Sequence, residues 1–210
     1  NELQWYTSHS KENAMVENGK LRITAISKKE NGKEYTSARL TTKNKGDWKY
    51  GRVEVKAKLP EGLGTWSAIW MLPTDNAYDI WPGSGEIDIM EHVGYSPDSI
   101  FSTVHTITYN HTIGTQVGET IESKNATTEF QVYSLEWEDG ELMSYVGNTR
   151  YFTFTNQFTG SEVWPFDQRF YLLLNVAVGG NLGGKMGVNN ALFPQSMEVD
   201  YVRVYKKIAE

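Results

Sequence analysis

Three carboxylate residues stand close together in the segment Gly85-Glu-Ile-Asp-Ile-Met-Glu91. Alternate side chains of a β-strand share a face, so Glu86 and Asp88 would point the same way, with Ile87 opposite. Like charges at close range raise the pKa of at least one carboxyl group, which a purely structural strand avoids. The spacing therefore favours catalysis by carboxyl groups, as nucleophile or as proton donor. An exposed acidic edge strand and a cation site are the alternatives.

Glu91 raises a question of strand register, because an odd spacing from Glu86 would send its side chain to the other face of a regular strand. One extra residue, a β-bulge around Ile89-Met90, would return Glu91 to the face of Glu86. The two glutamate Cα atoms would then lie roughly 13 Å apart, so a curved sheet and inward-leaning side chains must bring the carboxyl groups together. The alternative is a regular strand with Glu91 in solvent and Met90 facing inward.

The chemistry that needs two such carboxyl groups is the hydrolysis of glycosidic bonds. A retaining enzyme holds them about 5–5.5 Å apart, one attacking the anomeric carbon and the other protonating the leaving oxygen. We expect Glu86 to be the nucleophile and Glu91 the acid/base of a double displacement. Asp88 would hydrogen-bond Glu86, orient it and help to keep the two pKa values apart.

The elements that must carry these residues follow a period of two, as in 21–25 and 53–58, where apolar and polar residues alternate. Turn pairs such as Asn18-Gly19, Asn31-Gly32 and Asp139-Gly140 separate the runs. No segment sustains a helical repeat beyond two turns. Many strands without intervening helices predict an all-β sandwich or jelly roll, in a single domain over residues 1–210. Further runs of the strand type are 35–42, 65–71, 86–93, 100–109, 130–137, 142–146, 150–155, 170–178 and 197–205.

Composition removes several classes of protein. The chain has 210 residues, 20 Lys and Arg against 26 Asp and Glu, a net charge of −6 and no Cys. This balance argues against a nucleic-acid binder, which needs clustered cations, and the absence of Cys excludes thiol catalysis and Cys-ligated zinc. No apolar run approaches the roughly 20 residues of a membrane span. Seven Trp in an acidic chain indicate either a very aromatic core or a stacking surface.

The segment 85–91 resembles the signature of glycoside hydrolase family 16 in its bulged form, which laminarinase-type β-1,3-glucanases share with agarases and carrageenases. Lichenases use a version one residue shorter. Ser67 stands where the family usually has Pro. The stretches that resemble the laminarinase branch are Asn1-Glu-Leu-Gln-Trp-Tyr6, Tyr50-Gly-Arg-Val-Glu54, Gly64-Thr-Trp-Ser-Ala-Ile-Trp-Met-Leu-Pro73, Trp164-Pro-Phe-Asp-Gln168, Leu174-Asn-Val-Ala-Val-Gly-Gly180 and Val199-Asp-Tyr-Val-Arg-Val-Tyr205.

The resemblance implies a curved β-sandwich (jelly roll) of two antiparallel sheets with a concave substrate cleft. It also implies retaining, endo-acting hydrolysis of β-1,3-glucosidic bonds in laminarin-type glucans, with no cofactor for catalysis. The alternatives are mixed-linkage β-glucan or a galactan such as agarose on the same machinery, or a non-catalytic glycan-binding jelly roll. We expect a monomer that binds β-glucan and neither nucleic acid nor membrane. Because the chain begins at Asn1 without Met, we expect a secreted, cell-surface or periplasmic protein whose signal peptide is absent.

Residues that would bind substrate follow from the same resemblance. Trp66 and Trp70 share a strand face and, with Trp81, would stack on sugars in the glycone subsites. His105 would face the cleft near Glu91. Four further substrate-binding candidates have a structural alternative each. Asn175 interrupts an apolar run and would bond sugar hydroxyls or a core network. Arg52, beside the glycone end of the cleft, and Asn44 are similar cases, and Trp137 lies in the cleft or in the core.

A metal ion is the last expectation. No pair of His residues has the spacing of metal ligands, so a catalytic metal is not expected. The resemblance implies a structural Ca²⁺ on the convex side, held by backbone carbonyls near the N-terminus and one carboxylate of the last strand. Glu2, Gly19 and Asp200 match those positions, and hard oxygen ligands suit Ca²⁺. Asp200 could instead cap a turn or pair with Arg203.

Overall fold

Alternating apolar and polar residues form sixteen β-strands in the computed structural model, which describes residues 1–208. The predicted domain, 1–210, extends beyond this range. The strands are β1 (Gln4–Tyr6), β2 (Ala14–Glu17), β3 (Lys20–Ala25), β4 (Tyr35–Ser37), β5 (Arg39–Thr41), β6 (Asp47–Trp48), β7 (Gly51–Lys58), β8 (Thr65–Pro73), β9 (Glu86–Val93), β10 (Ser99–His105), β11 (Val117–Glu122), β12 (Gln131–Trp137), β13 (Glu141–Val146), β14 (Thr149–Thr155), β15 (Phe170–Val178) and β16 (Gln195–Tyr205).

Within residues 1–208, helical structure is limited to the turn-length α1 (Gly180–Gly183) and a 3₁₀ turn at Asn190–Leu192. The described residues contain no helix long and apolar enough to cross a membrane.

The strands form two large antiparallel sheets, so the predicted all-β sandwich is confirmed. The first sheet, which we call the groove sheet, has the order β11-β10-β9-β8-β15-β5, with β6 also paired to β15. The second, the outer sheet, has the order β14-β13-β12-β7-β16-β3-β2. A separate parallel pair, β1 with β4, connects the N-terminal segment to the fold.

The core lies between the sheets and follows the alternation. In β7, Val53, Val55 and Ala57 are buried while the residues between them are not. In β15 all nine residues are buried, because one of its faces packs on the core and the other lies in the floor of a groove. Hydrophobic burial of both faces explains why this strand reads as an almost continuous apolar run.

β9 lies between β8 and β10, and its pairing shows where its register changes. Against β8, Trp70 is opposite Asp88 while Ile69 is opposite Met90, so Ile89 is an extra residue. The pairing with β10 shifts at the same place. The predicted β-bulge at Ile89-Met90 is therefore confirmed, and it places Glu91 on the face of Glu86 and Asp88.

Candidate active site

A groove of about 400 Å³ lies on the face of the groove sheet that points away from the core. Its floor comes from alternate residues of β8, β9 and β15, and its ends come from the N-terminal segment, β5 and two loops. The lining residues are Glu2, Tyr6, Arg39, Trp66, Ala68, Trp70, Leu72, Trp81, Glu86, Asp88, Glu91, His111, Asn175 and Ala177.

Each glutamate of β9 accepts a hydrogen bond from an indole. Trp81 Nε1 donates to Glu86 Oε2 at 2.5 Å, and Trp66 Nε1 donates to Glu91 Oε1 at 2.9 Å. Asp88, buried between them, lies within hydrogen-bonding reach of Glu86. The structure thus brings together the three predicted catalytic carboxylates and the three predicted tryptophans, two of which bond to the glutamates.

The imidazole of His105 completes the cluster. Glu86 is directly opposite His105 in the β9–β10 pairing, and His105 Nε2 lies 3.3 Å from Asp88 Oδ2. The carboxylates of Glu86 and Asp88 and the ring of His105 offer atoms within 4.8 Å of one another, which is close enough to hold a metal ion. The same arrangement, carboxyl groups held close together with an indole N–H donating to Glu86, also suits proton transfer.

The pKa values of the three carboxyl groups differ from those of ordinary surface carboxyl groups. Burial, followed by the charge of Asp88, raises the pKa of Glu86 well above its usual range. Burial also raises the pKa of Asp88 and of Glu91. Within residues 1–208 no Lys or Arg forms an ion pair with any of the three. Each of these carboxyl groups therefore keeps its proton to a higher pH than an ordinary surface carboxyl group does, and perturbed pKa values of this kind are typical of acid/base sites.

Glu136 on the outer sheet has a pKa shifted in the opposite direction. Burial alone would raise its pKa, but the Tyr145 hydroxyl and the Arg52 guanidinium outweigh burial, so the pKa falls. Arg52 Nη1 lies 2.5 Å from Glu136 Oε1. The raised pKa values of the groove carboxyl groups therefore contrast with the lowered pKa of this half-buried carboxylate.

The loop before β9 has the backbone conformation and hydrogen bonds that place Trp81. Gly85 has φ +84°, and a Cβ there would lie 2.8 Å from Pro165 Cγ, so only glycine fits at the start of the strand. The Gln168 amide donates to the carbonyl of Ser84 and accepts from the amide of Ala77. This buried glutamine ties the loop to the sandwich.

A second polar chain crosses the groove floor. Trp70 Nε1 donates to Asn175 Oδ1 at 2.7 Å, and Asn175 Nδ2 donates to the Tyr6 hydroxyl at 3.1 Å. The guanidinium of Arg39 lies 5.0 Å from the ring centre of Tyr6. Asn175 is therefore part of a side-chain network, as one alternative held, and that network lies in the groove.

Two predicted substrate-binding residues lie elsewhere. Arg52 faces outward on β7 of the outer sheet and pairs with Glu54 and Glu136, beside a separate cavity of about 660 Å³. Trp137 is 2% exposed, and its Nε1 donates to the carbonyl of Phe166 inside the core. Both predictions are wrong: Arg52 alternates outward on the opposite side of the sandwich, and Trp137 packs inward.

The prediction for Asn44 is also wrong. Asn44 lies in the exposed turn between β5 and β6, outside the groove, with φ 62°. Its backbone N–H donates to the Asp47 carboxylate at 3.0 Å. Asn tolerates the left-handed backbone that this turn requires, which accounts for the residue type.

The three residues expected to hold Ca²⁺ do not form one site. Glu2 lines the groove and its carbonyl accepts a hydrogen bond from Lys33 Nζ at 2.6 Å. Gly19 lies in the β2–β3 turn of the outer sheet, and Asp200 pairs with Lys56 at 2.9 Å. The ammonium group of Lys33 already contacts Glu2, and that of Lys56 contacts Asp200. Glu2 lies on the groove side of the sandwich, whereas Gly19 and Asp200 belong to the outer sheet, so this set does not fit a calcium ion.

The sequence prediction did not place seven of the lining residues in the groove. The four of them with polar side chains are Glu2, which was expected to bind calcium, and Tyr6, Arg39 and His111. The ring centre of His111 lies 5.2 Å from that of Trp81 and 5.1 Å from that of His105. Its loop is tied by Asn110, whose buried amide donates to the carbonyls of Thr106 and Ile107. A histidine in a polar loop carries no sequence signal for the groove, since its position depends on how the loop folds back.

A two-sheet sandwich with paired carboxyl groups and indoles in one open groove has the parts of a glycoside hydrolase. Residues 1–203 match the sequence model of the glycosyl hydrolases family 16, and the chain belongs to this family.

Known relatives agree with this membership. A beta-glucanase of Rhodothermus marinus is 50% identical over 212 residues, which cover 98% of this chain and 74% of that protein. The X-ray structure of the laminarinase from Rhodothermus marinus superposes with a TM-score of 0.97 at 48% identity, covering 99% of this chain and 86% of that chain. A mutant of SCLam, a non-specific endo-beta-1,3(4)-glucanase co-crystallised with 1,3-beta-D-cellotriosyl-glucose, superposes with a TM-score of 0.95 at 44% identity, covering 99% of this chain and 82% of that chain.

Proposed function

We propose that this chain is a retaining endo-β-1,3-glucanase that hydrolyses laminarin-type glucans. The observation that carries the proposal is the pair of groove glutamates, each bonded to an indole, with Asp88 between them. The names of the relatives support the substrate class, since they include a laminarinase and an endo-beta-1,3(4)-glucanase.

The reaction proceeds in two displacements. The Glu86 carboxylate attacks the anomeric carbon while the Glu91 carboxyl group gives its proton to the leaving glycosidic oxygen, forming a glycosyl ester on Glu86. The Glu91 carboxylate then takes a proton from water, the water oxygen attacks the same carbon, and Glu86 leaves as a carboxylate. Two inversions give net retention.

Asp88 and His105 support these proton transfers. Asp88 is within hydrogen-bonding reach of Glu86, and its other contact is His105 Nε2. Asp88 can therefore hold the Glu86 carboxyl group in position for in-line attack. The charge of Asp88 also raises the pKa of Glu86, so a substitution at Asp88 should change the pH dependence of the reaction.

Asp88→Asn is expected to move the acidic limb of the kcat/KM profile to lower pH. Glu86 must be ionised to attack, and the charge of Asp88 is, after burial, the largest cause that raises its pKa. A neutral Asn removes that contribution, so Glu86 loses its proton at lower pH. We also expect kcat to fall at least about tenfold, because the orienting contact changes.

The measurement is the initial rate of reducing-sugar release from laminarin across pH. Asp98→Asn, at an exposed position outside the groove, is the control and should keep the wild-type limb. An acidic limb that stays in place or moves to higher pH in Asp88→Asn would contradict the assignment.

Trp70→Ala is expected to raise KM for laminarin about tenfold, equivalent to about 1.4 kcal/mol. The Trp70 indole lies in the groove floor, where a sugar can stack on it, and such aromatic contacts contribute about 0.5–1.5 kcal/mol beyond area burial. Trp5→Ala is the matched control, because Trp5 is 41% exposed and lies outside the groove lining. Steady-state kinetics of both variants measure the effect, and equal KM values would remove Trp70 from the binding surface.

The choice among glycans is tested by product analysis over time with laminarin, lichenan and agarose. Oligosaccharides from laminarin alone support the proposal. Equal release from lichenan would indicate the non-specific behaviour that the name of SCLam describes, and release from agarose alone would indicate a galactanase. Laminarin binding without any product would indicate a glycan-binding module.

Because a polymeric glucan cannot cross a membrane, we propose that the chain acts outside the cytoplasm. Cell fractionation with an antibody against the chain tests this localisation. A monomeric state stays a prediction, which size-exclusion chromatography with light scattering can check.

A further inference from the structure

The bulge that aims Glu91 into the groove has a hydrogen-bonded partner on its buried side. In the β9–β10 pairing, Phe101 is opposite Glu91 and Thr103 is opposite Asp88, so Ser102 alone faces the two residues Ile89 and Met90. Ser102 is 1% exposed and points into the core. Its Oγ donates to the carbonyl of Asp88 at 2.8 Å. A polar group therefore contacts the backbone where the ladder is interrupted.

This contact continues into the outer sheet. Ser144, fully buried on β13, has its Oγ 2.7 Å from Ser102 Oγ. A serine hydroxyl has a single proton, and Ser102 directs its own to the Asp88 carbonyl. Ser144 must then donate to Ser102, so a relay of two hydroxyls runs from the outer sheet to the catalytic strand.

A second bulge, on β14, adds another hydroxyl. Ser144 is opposite Phe152 and Tyr145 is opposite Arg150, so Tyr151 is an extra residue on that strand. Its hydroxyl lies 3.4 Å from the carbonyl of Ile89, at the long end of hydrogen-bond range. Burial raises the pKa of Tyr151, so it remains a neutral donor. The bulges of the two sheets therefore meet through hydroxyl groups in the core.

We propose that Ser102, Ser144 and Tyr151 are positioning residues that fix the bulge and thereby aim Glu91, the acid/base, at the glycosidic oxygen. None of them lines the groove, so they act through the β9 backbone and not on substrate. Glu86 precedes the bulge and lies in regular pairing with His105. Loss of the relay should therefore impair proton donation by Glu91 more than nucleophilic attack by Glu86. The inference rests on the proposed function.

Ser102→Ala tests the relay, with Ser67→Ala as its matched control. Ser67 is a fully buried serine on β8, the other neighbour of β9, and its Oγ has no hydrogen-bond partner among residues 1–208. We expect Ser102→Ala to lower kcat on laminarin about tenfold to a hundredfold, as small misplacements of catalytic groups do, with KM within about twofold. Ser67→Ala should keep both constants.

A second substrate distinguishes a misplaced Glu91 carboxyl group from a general loss of activity. A 2,4-dinitrophenyl β-laminaribioside needs no proton on its leaving group, and azide attacks the glycosyl ester on Glu86 without a base, giving a glycosyl azide and free Glu86 carboxylate. With both present, Ser102→Ala should approach the wild-type rate. An equal loss on the two substrates, or an unchanged kcat on laminarin, would overturn the inference.

Ser144→Ala and Tyr151→Phe provide the same test from the outer sheet, should Ser102→Ala fold poorly. Tyr133→Phe is the control for Tyr151→Phe, since the buried Tyr133 hydroxyl has no partner in the described part of the chain. Melting temperatures show that each variant is folded at the assay temperature. A smaller but equally substrate-dependent loss is expected for both relay variants, and wild-type kinetics on laminarin in both would overturn the inference. If the wild type releases no sugar from laminarin, the proposed function is contradicted, and this result is distinct from any difference between variants.

Discussion

Glu86→Ser is expected to lower kcat on laminarin by about 10⁴-fold or more, a loss of the size seen when a covalent nucleophile is removed. Serine is too short to reach the anomeric carbon from the same backbone position, and it carries no charge to balance the developing cation. Trp81 Nε1 loses its acceptor, but Trp81 is 36% exposed and can bond to water.

The same variant should retain its fold and its affinity for glucan. Burial and the neighbouring Asp88 raise the pKa of Glu86, which means that its charged form is disfavoured in the folded protein. Removing the carboxyl group relieves that repulsion, so the melting temperature should stay the same or rise. We expect glucan binding to depend on Trp66, Trp70 and the rest of the groove floor, which the substitution leaves in place.

Three measurements check the result: reducing-sugar release from laminarin, calorimetric titration with a laminari-oligosaccharide, and thermal unfolding. Glu119→Ser, at an exposed position on β11 of the same sheet, is the matched control and should behave as the wild type. Residual activity near the wild-type level in Glu86→Ser would show that another carboxylate forms the covalent intermediate.

The strand that carries the candidate site, β9, was largely predictable because its three carboxylates lie in one short segment. Glu86, Asp88 and Glu91 lie in one segment, and an odd spacing that must return Glu91 to the same face requires one extra residue. The structure has that residue at Ile89. Local alternation also correctly placed Trp66 and Trp70 on one face of β8.

The alternation of apolar and polar residues did not predict which of the two outer faces of the sandwich a residue reaches. A sandwich has two outer faces, and the period of a strand says that a residue points away from the core without saying which face it reaches. Arg52 and Trp70 both alternate outward, yet Arg52 lies on the outer sheet and Trp70 in the groove. The order of the strands decides between them, and that order depends on long-range pairing.

Long-range pairing also explains the residues that were missed. Arg39 reaches the groove because β5 pairs with β15, where Arg39 lies opposite Asn175. Tyr6 reaches it because β1 pairs in parallel with β4. Neither contact leaves a trace in the local pattern, since the partners are far apart in the chain and the residue types are ordinary for strands.

Glu91→Ala is expected to lower kcat on laminarin by about 10²- to 10⁴-fold, the usual range for a positioned acid/base. The substitution removes both the proton for the leaving oxygen and the base that activates water, while Glu86 keeps its indole partner. A dinitrophenyl glycoside with azide needs neither, so Glu91→Ala should regain activity on that pair of reactants and release a glycosyl azide that keeps the β configuration.

The pH profile provides an independent check on the same variant. Glu91 must be protonated to act as the acid, and burial raises its pKa, which keeps the proton in place to higher pH than an ordinary glutamate would. The basic limb of the wild-type profile on laminarin therefore reports the loss of that proton, and it should be absent from the residual activity of Glu91→Ala on laminarin. Glu119→Ala, on β11 outside the groove, should keep the limb. If Glu91→Ala kept the limb, or if azide failed to raise its rate, the donor of the proton would have to be another group of the cluster, with Asp88 the nearest candidate because its carboxyl group is already within reach of Glu86.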